Sequence, residues 1–265
     1  RILRIAQEMG YKPNLLARGL RKDKSYSIGV IVDNIDSIFA PTIIRGIQDA
    51  LKVAGYTCVI VNSDWDIELE HGSAHELISR SVDGLIFVDT WLHSDDPGLE
   101  DLKVPCVFIN RVFSRGNCIC PDDRYGARLA TEHLIKLGHT QIAFINGPQG
   151  WVASENRLSG YCDTLESHGI PFEPHLVLNG DWDAPSGYQC AMQLLQLDER
   201  PTAIFAANDI MALGAIYASR EAGLQVPDDV AIVGYDDQDI GRLANPTLTT
   251  VCMPSHEMGQ RAVQS

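Results

Sequence analysis

The sequence predicts an α/β protein of two lobes, each a doubly wound parallel sheet, and three observations lead there. Short apolar runs alternate with helix-length amphipathic segments along most of the chain, the pattern of parallel strands joined by crossover helices. The alternation runs in two series that repeat in outline, one starting near Tyr26 and one near Gln141. With 265 residues and 45% hydrophobic content, the chain can bury two separate cores.

Taken in order, Ile2, Ile5, Ala6 and Met9 keep helical spacing before Gly10, which reads as the end of an amphipathic helix. Tyr26 to Val32 reads as a strand, Pro41 to Ala54 as a helix stopped by Gly55, and Thr57 to Asn62 as the next strand. His75 to Arg80 falls in a further helix, Gly84 to Val88 and Pro105 to Ile109 are strands, and Tyr125 to Leu137 is a helix ended by Gly138. The second series opens with a strand at Gln141 to Ile145, then a helix at Glu155 to His168, Gly169, and a strand at Leu176 to Leu178. Ala203 to Ala207 follows as a buried strand, Ile210 to Ala222 as a helix stopped by Gly223, Val230 to Gly234 as a strand, and Thr247 to Val251 as extended chain. A last helix enters at Pro254 and Ser255 and runs through Met258, Ala262 and Val263 without a stop signal, so both ends of the chain are expected to be cut.

The chain should cross between lobes near Gly138 to Thr140 and return near Thr249 to Val251. That divides it into a segment 1–24, a first lobe of residues 25–139 plus 250–265, and a second lobe of residues 140–249.

Charge is unevenly spread. Residues 1–24 hold seven Lys or Arg against Glu8 and Asp23, a net of +5, whereas the remaining 241 residues carry 14 basic and 33 acidic side chains, a net of −19. The body repels phosphate backbones and the amino-terminal segment attracts them; a solvated basic tail fits the same charges. No apolar run is long enough to span a membrane, and the basic start lacks the apolar block of an export signal, so a cytoplasmic protein is expected. Seven cysteines at 58, 106, 118, 120, 162, 190 and 252 lack CxxC spacing and read mostly as small core residues, with no metal site expected. There is no Walker loop, no GxGxxG after a strand, no GxSxG elbow and no metal-ligand cluster, which argues against an enzyme and against a cofactor.

The most informative stretch is AIFAANDIMALGA followed by VPDDVAIVGYDD, from Ala203 to Asp237. A right-handed crossover puts both strands in one sheet with their carboxyl ends on one edge, so Asn208 and Asp236 face a common crevice. An amide and a carboxylate there suit a small hydroxylated ligand. Asn208 and Asp209 also fit a plain helix cap.

With these pieces placed, the chain resembles the LacI/GalR family of bacterial transcription regulators, whose core resembles periplasmic sugar-binding proteins of type I. The phrases that carry the resemblance are MGYKPNLLARGLR (9–21), YSIGVIV (26–32), FAPTIIRGIQDAL (39–51), DGLIFV (83–88), GARLATEHLIKLGH (126–139), ENRLSGY (155–161), FAANDIMALGA (205–215), VPDDVAIVGYDD (226–237) and NPTLTTV (245–251). The resemblance implies a cytoplasmic, dimeric, ligand-responsive repressor whose core binds a small effector, most simply a sugar, between two lobes. Most of its helix-turn-helix domain would be absent here. A periplasmic sugar-binding protein shares such a core but needs an export signal and has no use for LLARGLRK.

The resemblance also implies residue roles. Asn14 to Leu20, preceded by Pro13, matches the family's hinge helix, with Asn14, Ala17, Arg18 and Arg21 at operator DNA and Leu20 as the apolar wedge in the minor groove. Seven residues are too few for a stable isolated helix, so order there should depend on a partner; a flexible linker is the alternative. In the core, Arg157, Asn208 and Asp236 match the polar effector contacts, Asp122 a further one, and Trp182 and Phe39 aromatics that stack on a ligand ring. Arg157 also fits a surface helix position and Asp236 a cap. The family's NPFF loop is here Ser37, Ile38, Phe39 and Ala40, so an amide has become the hydroxyl of Ser37 and one ring is missing; Trp151 is placed to supply it or to act as a lid or core anchor. Asn208→Ala and Asp236→Ala are expected to abolish binding and leave the fold intact.

Overall fold

A computed structural model describes residues 24–94, 97–99, 102–112 and 117–265. The chain forms two compact units. One comprises the described residues up to Thr90 with those of Ser94–Cys120 and Ser255–Ser265; the other comprises Pro121–Pro254 with Trp91–His93.

The first unit holds strands β1 (Ser27–Val32), β2 (Thr57–Asn62), β3 (Gly84–Ser94), β4 (Cys106–Val112) and β5 (Asn117–Ile119), in the order β2-β1-β3-β4-β5. β1 is parallel to both neighbours, Ser27 opposite Thr57 and Ile28 opposite Gly84. Helix α1 (Ala40–Ala54) ends at Gly55, whose φ of 77° is the left-handed turn that glycine adopts without a Cβ penalty. Helix α2 (Ile67–Ser79) is capped by Asp66, which accepts from the backbone N–H groups of Glu68 and Leu69. Val30, Ile31, Val32, Phe87, Val88 and Ile109 are buried at or near zero exposure, and Phe87 and Phe108 stack at 4.9 Å. Strands buried this completely read as unbroken apolar runs.

The second unit holds helix α3 (Asp123–Lys136), β6 (Ile142–Asn146), α4 (Val152–Ser167), β7 (Val177–Asn179), α5 (Ala184–Leu195), β8 (Ala203–Ala206), α6 (Asp209–Glu221), β9 (Ala231–Asp236), the short α7 (Asp239–Leu243) and β10 (Thr249–Cys252). Its parallel sheet has the order β10-β9-β8-β6-β7. Phe144 stacks on Phe205 at 4.7 Å and on Tyr161 at 5.2 Å, and the Tyr161 hydroxyl donates to the Ile142 carbonyl at 2.7 Å. Each such ring contributes roughly 1.5–3 kcal/mol on burial. Helices α5 and α6 touch backbone to backbone, because a Cβ at Gly187 would overlap Met211 and one at Gly214 would overlap Ala184. The last helix, α8 (Ser255–Gln264), returns to the first unit.

The division differs from the expected one at both crossings: the second unit begins at Pro121 and ends at Pro254, not at residues 140 and 249. The reasons are local. α3 packs on α4, where Gly160 lies against the Arg124 carbonyl, and β10 is hydrogen-bonded along β9. β5, α5, α7 and the first half of α2 were not anticipated, and β3 continues past Val88 to Ser94. The cysteines differ as well. Only Cys190 of the seven is buried, and Cys118 and Cys252 lie on edge strands.

Candidate functional site

The carboxyl edge of the second unit's sheet is where its strands hand over to polar loops. β6 ends on Asn146, β8 runs through Ala207 into Asn208, and β9 ends on Asp236. Three neighbouring strands thus deliver an amide, an amide and a carboxylate to one edge, and all three residues are buried.

Arg157, in the second turn of α4, organises this edge. Only 5% exposed, it donates from Nε to Asp123 Oδ1 at 2.8 Å and from Nη1 to the Ala207 carbonyl, and its Nη2 lies 3.9 Å from Asp236 Oδ1. Its guanidinium carbon sits 3.8 Å from the Tyr235 ring centre and 5.5 Å from that of Trp182. Burial alone would disfavour its charge, but the carboxylates of Asp123 and Asp236 outweigh that and raise its pKa. Asp236 moves the other way: desolvation, reinforced by Asp209 and Asp123 and opposed by Arg157, pushes its carboxyl up to about 8.

Several polar atoms here are buried and have no hydrogen-bond partner among the described residues: Asp123 Oδ2, Asp236 Oδ1, Asn146 Oδ1, Ser154 Oγ and Trp182 Nε1. Such atoms cost free energy unless something meets them. The backbone is also held in left-handed conformations at non-glycine residues, with φ of 61° at Trp182, 109° at Asp236 and 55° at Asp237. Strain of about 1–3 kcal/mol per residue collects at binding sites.

Of the anticipated residues, Arg157, Trp182, Asn208 and Asp236 come together. Asn208 caps α6, accepting from Met211 N at 2.7 Å, and its Nδ2 donates to the Trp182 carbonyl at 3.0 Å. Its side chain therefore works structurally, as the capping alternative has it, and it also fixes the loop that carries Trp182. Trp151 is half-buried beside Trp182, ring centres 5.9 Å apart. Asp122 does not join them: it is an exposed cap accepting from Tyr125 N at 2.9 Å, and its neighbour Asp123 is the buried partner of Arg157. Ser37 and Phe39 belong to the first unit, where Ser37 Oγ accepts from Ala40 N at 3.0 Å at the start of α1 and Phe39 is half-buried. Asn14, Ala17, Arg18, Leu20 and Arg21 lie outside the described residues.

Asp209 was anticipated only as a cap. It is fully buried, accepts from Thr250 Oγ1 at 2.5 Å and Gln238 N at 2.7 Å, and so clamps the turn after Asp236.

The first unit carries a second buried cluster, also unanticipated, where the carboxyl ends of β1 and β4 meet the middle of β3 and helix α2. Arg111 donates to both oxygens of Asp89 (2.7 and 2.8 Å) and both of Glu70 (2.8 and 2.9 Å). Asp33 Oδ2 accepts from Thr90 N and Oγ1, while its Oδ1, like Asn110 Oδ1, is buried without a protein partner. Desolvation raises the Asp33 carboxyl to about 6. A polar residue ending an apolar run, as in GVIVD, LIFVD and VFINR, is the signal that identifies these positions. Among the described residues, no group of three or more His, Cys, Asp or Glu is placed to hold a metal, and no helix is long and apolar enough to cross a membrane.

A parallel sheet with unsatisfied polar groups and aromatic rings at its carboxyl edge defines an α/β ligand-binding protein. A family model described as a periplasmic binding protein-like domain matches residues 131–265. Catabolite control protein A of Priestia megaterium is 32% identical over 270 residues, which cover 100% of this chain and 81% of that protein. A solved complex of the transcriptional regulator CelR with cellobiose has 31% identity and a TM-score of 0.78, covering 99% of this chain and 81% of that one. The Lac repressor dimer bound to operator and the anti-inducer ONPF has 33% identity and a TM-score of 0.80, covering 96% and 90%. The chain belongs to the LacI family of transcriptional regulators, with the periplasmic-binding-protein-like fold of type I, and is not an enzyme.

Proposed function

We propose that this chain is the effector-binding core of a transcriptional repressor, that its effector is a sugar, and that Arg157, Asp123, Asp236 and Trp182 hold it. One observation carries this reading: Asp123 Oδ2, Asp236 Oδ1 and Trp182 Nε1 are buried around a fixed guanidinium and, among the described residues, have no hydrogen-bond partner. Hydroxyl groups supply donors to the carboxylates and an acceptor to the indole N–H, and the Trp182 face suits the C–H face of a pyranose. The cellobiose complex of a relative supports a sugar, and the operator complex of a dimeric relative supports DNA binding by a homodimer. Trp151 is proposed to add to this pocket and Asn208 to shape it, and Ser37 and Phe39 are proposed as effector contacts of the first unit.

The net charge of +5 over residues 1–24 supports operator contact through Asn14, Ala17, Arg18, Leu20 and Arg21, with the protein acting in the cytoplasm. Effector and operator binding are then linked, each altering affinity for the other. A thermal-shift screen of mono- and disaccharides, with purines as controls, tests the reading. A sugar that raises the melting temperature of the wild type but not of Asp236→Ala supports it; stabilisation by purines alone overturns it.

A further inference from the structure

We propose that the effector is rich in hydrogen-bond donors and carries no negative charge, a neutral or amine-bearing polyhydroxylated molecule, so that phosphorylated and carboxylated sugars are rejected. This rests on the sugar reading above and narrows it.

The first support is a count of buried charge. Among the described residues, six carboxyl side chains are buried (Asp33, Glu70, Asp89, Asp123, Asp209 and Asp236) against two guanidiniums (Arg111 and Arg157). Each unit, taken by itself, sets three carboxyls against one arginine. Both arginines are largely occupied. Arg157 spends Nε on Asp123 and Nη1 on the Ala207 carbonyl, with its planar face on Tyr235, and leaves only Nη2, 3.9 Å from Asp236 Oδ1, to meet a ligand. Arg111 makes four hydrogen bonds to Asp89 and Glu70. In the loop after Asp236, Arg242 is exposed and paired with Asp237 at 3.3 Å. A phosphate at the first unit's edge must therefore displace Asp89 or Glu70 from Arg111 or lie against carboxylates in a low-dielectric site, and at the second unit's edge it must compete with Asp123 for Arg157; like charges brought together in this way weaken binding strongly.

The second support is the direction of the unmet hydrogen bonds. Asp33 Oδ1, Asn110 Oδ1, Asn146 Oδ1, Asp123 Oδ2 and Asp236 Oδ1 are carbonyl or carboxyl oxygens, all in residues more than nine-tenths buried. Against these five stands one unmet N–H, at Trp182, and one hydroxyl, at Ser154. The edges want donors. Hydroxyls and ammonium groups bring them; a phosphate dianion or a carboxylate brings only acceptors. The upward shifts of Asp33 and Asp236, caused first by burial, agree with sites short of positive charge and of donors.

The experiment is a calorimetric titration of the purified protein with matched sets: neutral sugars, the corresponding amino sugars, their 6-phosphates and uronic acids, inorganic phosphate alone, and a purine base beside its 5′-monophosphate. At least one neutral or amino sugar is expected to bind, with its phosphorylated and carboxylated counterparts at least about 100-fold weaker and inorganic phosphate silent. An anionic sugar binding as tightly as its neutral counterpart overturns the charge rule and leaves the sugar reading standing. Binding of the purine base over its nucleotide, with every sugar silent, keeps the charge rule and overturns the sugar reading. Silence in every arm overturns both.

Discussion

Arg157 and Asp123 share one hydrogen bond of 2.8 Å, yet the second oxygen of Asp123 is buried with no protein partner, so this pair is a platform left open on one side. Removing the arginine strands Asp123, Asp209 and Asp236 without a buried cation in their unit. Arg157→Ala is therefore expected to lose about 3–5 kcal/mol of stability. Asp123→Asn keeps the shape and an acceptor for Nε and should lose no more than about 1–2 kcal/mol. Denaturant unfolding with an unchanged slope measures both. Equal losses would mean that Arg157 is not the counter-ion of the cluster.

Asn208 supports the fold as well as the site. Its Oδ1 caps α6 through Met211 N and its Nδ2 holds the Trp182 carbonyl, so Asn208→Ala, expected from sequence to be structurally silent, should cost about 1–2 kcal/mol. Asn208→Asp retains the cap and should recover roughly half of that loss. Thermal unfolding of the two variants decides it; an alanine variant as stable as wild type would return Asn208 to a pure ligand contact.

How much of this was legible follows the physics of each position. The strands were, because a parallel sheet covered on both faces leaves runs such as AIFAA with no polar interruption. β5, three residues long, carries too little pattern to be seen. α5 was not anticipated although its signal is present: Asp183 caps it with Pro185 just inside. That Asp123 is the buried carboxylate, where only Asp122 was named from sequence, follows from helix phase. Asp123 lies on one stripe with Ala127, Ala130 and Leu134, all buried, which points it inward, while Asp122 stays outside as the cap. The pairing of Arg111 with Glu70 joins residues 41 apart, and local pattern contains nothing of it.

Asp209 positions Asp236 without being aimed at a ligand. Its two oxygens take the Thr250 hydroxyl and the Gln238 N–H, and a turn with φ of 109° and 55° needs such a clamp to persist. Asp209→Ala takes both acceptors away and leaves the Gln238 N–H and the Thr250 hydroxyl unmet in a buried site. The expected result is an effector affinity at least about tenfold weaker and a loss of about 1–3 kcal/mol of stability, with Asp209→Asn, which keeps an acceptor for the N–H and can donate to a hydroxyl turned to accept, restoring most of both. Titration and calorimetry on the same sample separate the two effects, and unaltered affinity would sink the positioning role.

Asp236 makes stability depend on pH in a direction opposite to the usual carboxylate. Its folded-state pKa of about 8 lies above the ordinary 3.8, so the folded protein holds this proton more tightly than the unfolded chain. The stability it confers is complete below about pH 4 and is lost as pH rises to about 8. Asp236→Asn should remove that slope and exceed wild type by a few kcal/mol above pH 8, at about 1.4 kcal/mol per pKa unit, while losing effector binding. Denaturation profiles from pH 5 to 9 test the sign; parallel profiles for the two proteins would contradict it.

Trp182 presents two separable features, a ring and an N–H. The ring lies 5.5 Å from the Arg157 guanidinium carbon and 5.9 Å from the Trp151 ring, whereas Nε1 is buried with no acceptor in the protein. Trp182→Phe removes the donor together with one of the two fused rings, so affinity for the effector should fall about five- to tenfold, roughly the worth of one hydrogen bond. Trp182→Ala also removes the surface on which a sugar ring stacks and should weaken binding by a further factor of about ten. If the phenylalanine variant binds as wild type does, the indole N–H does not meet the ligand and only the face of the ring is used.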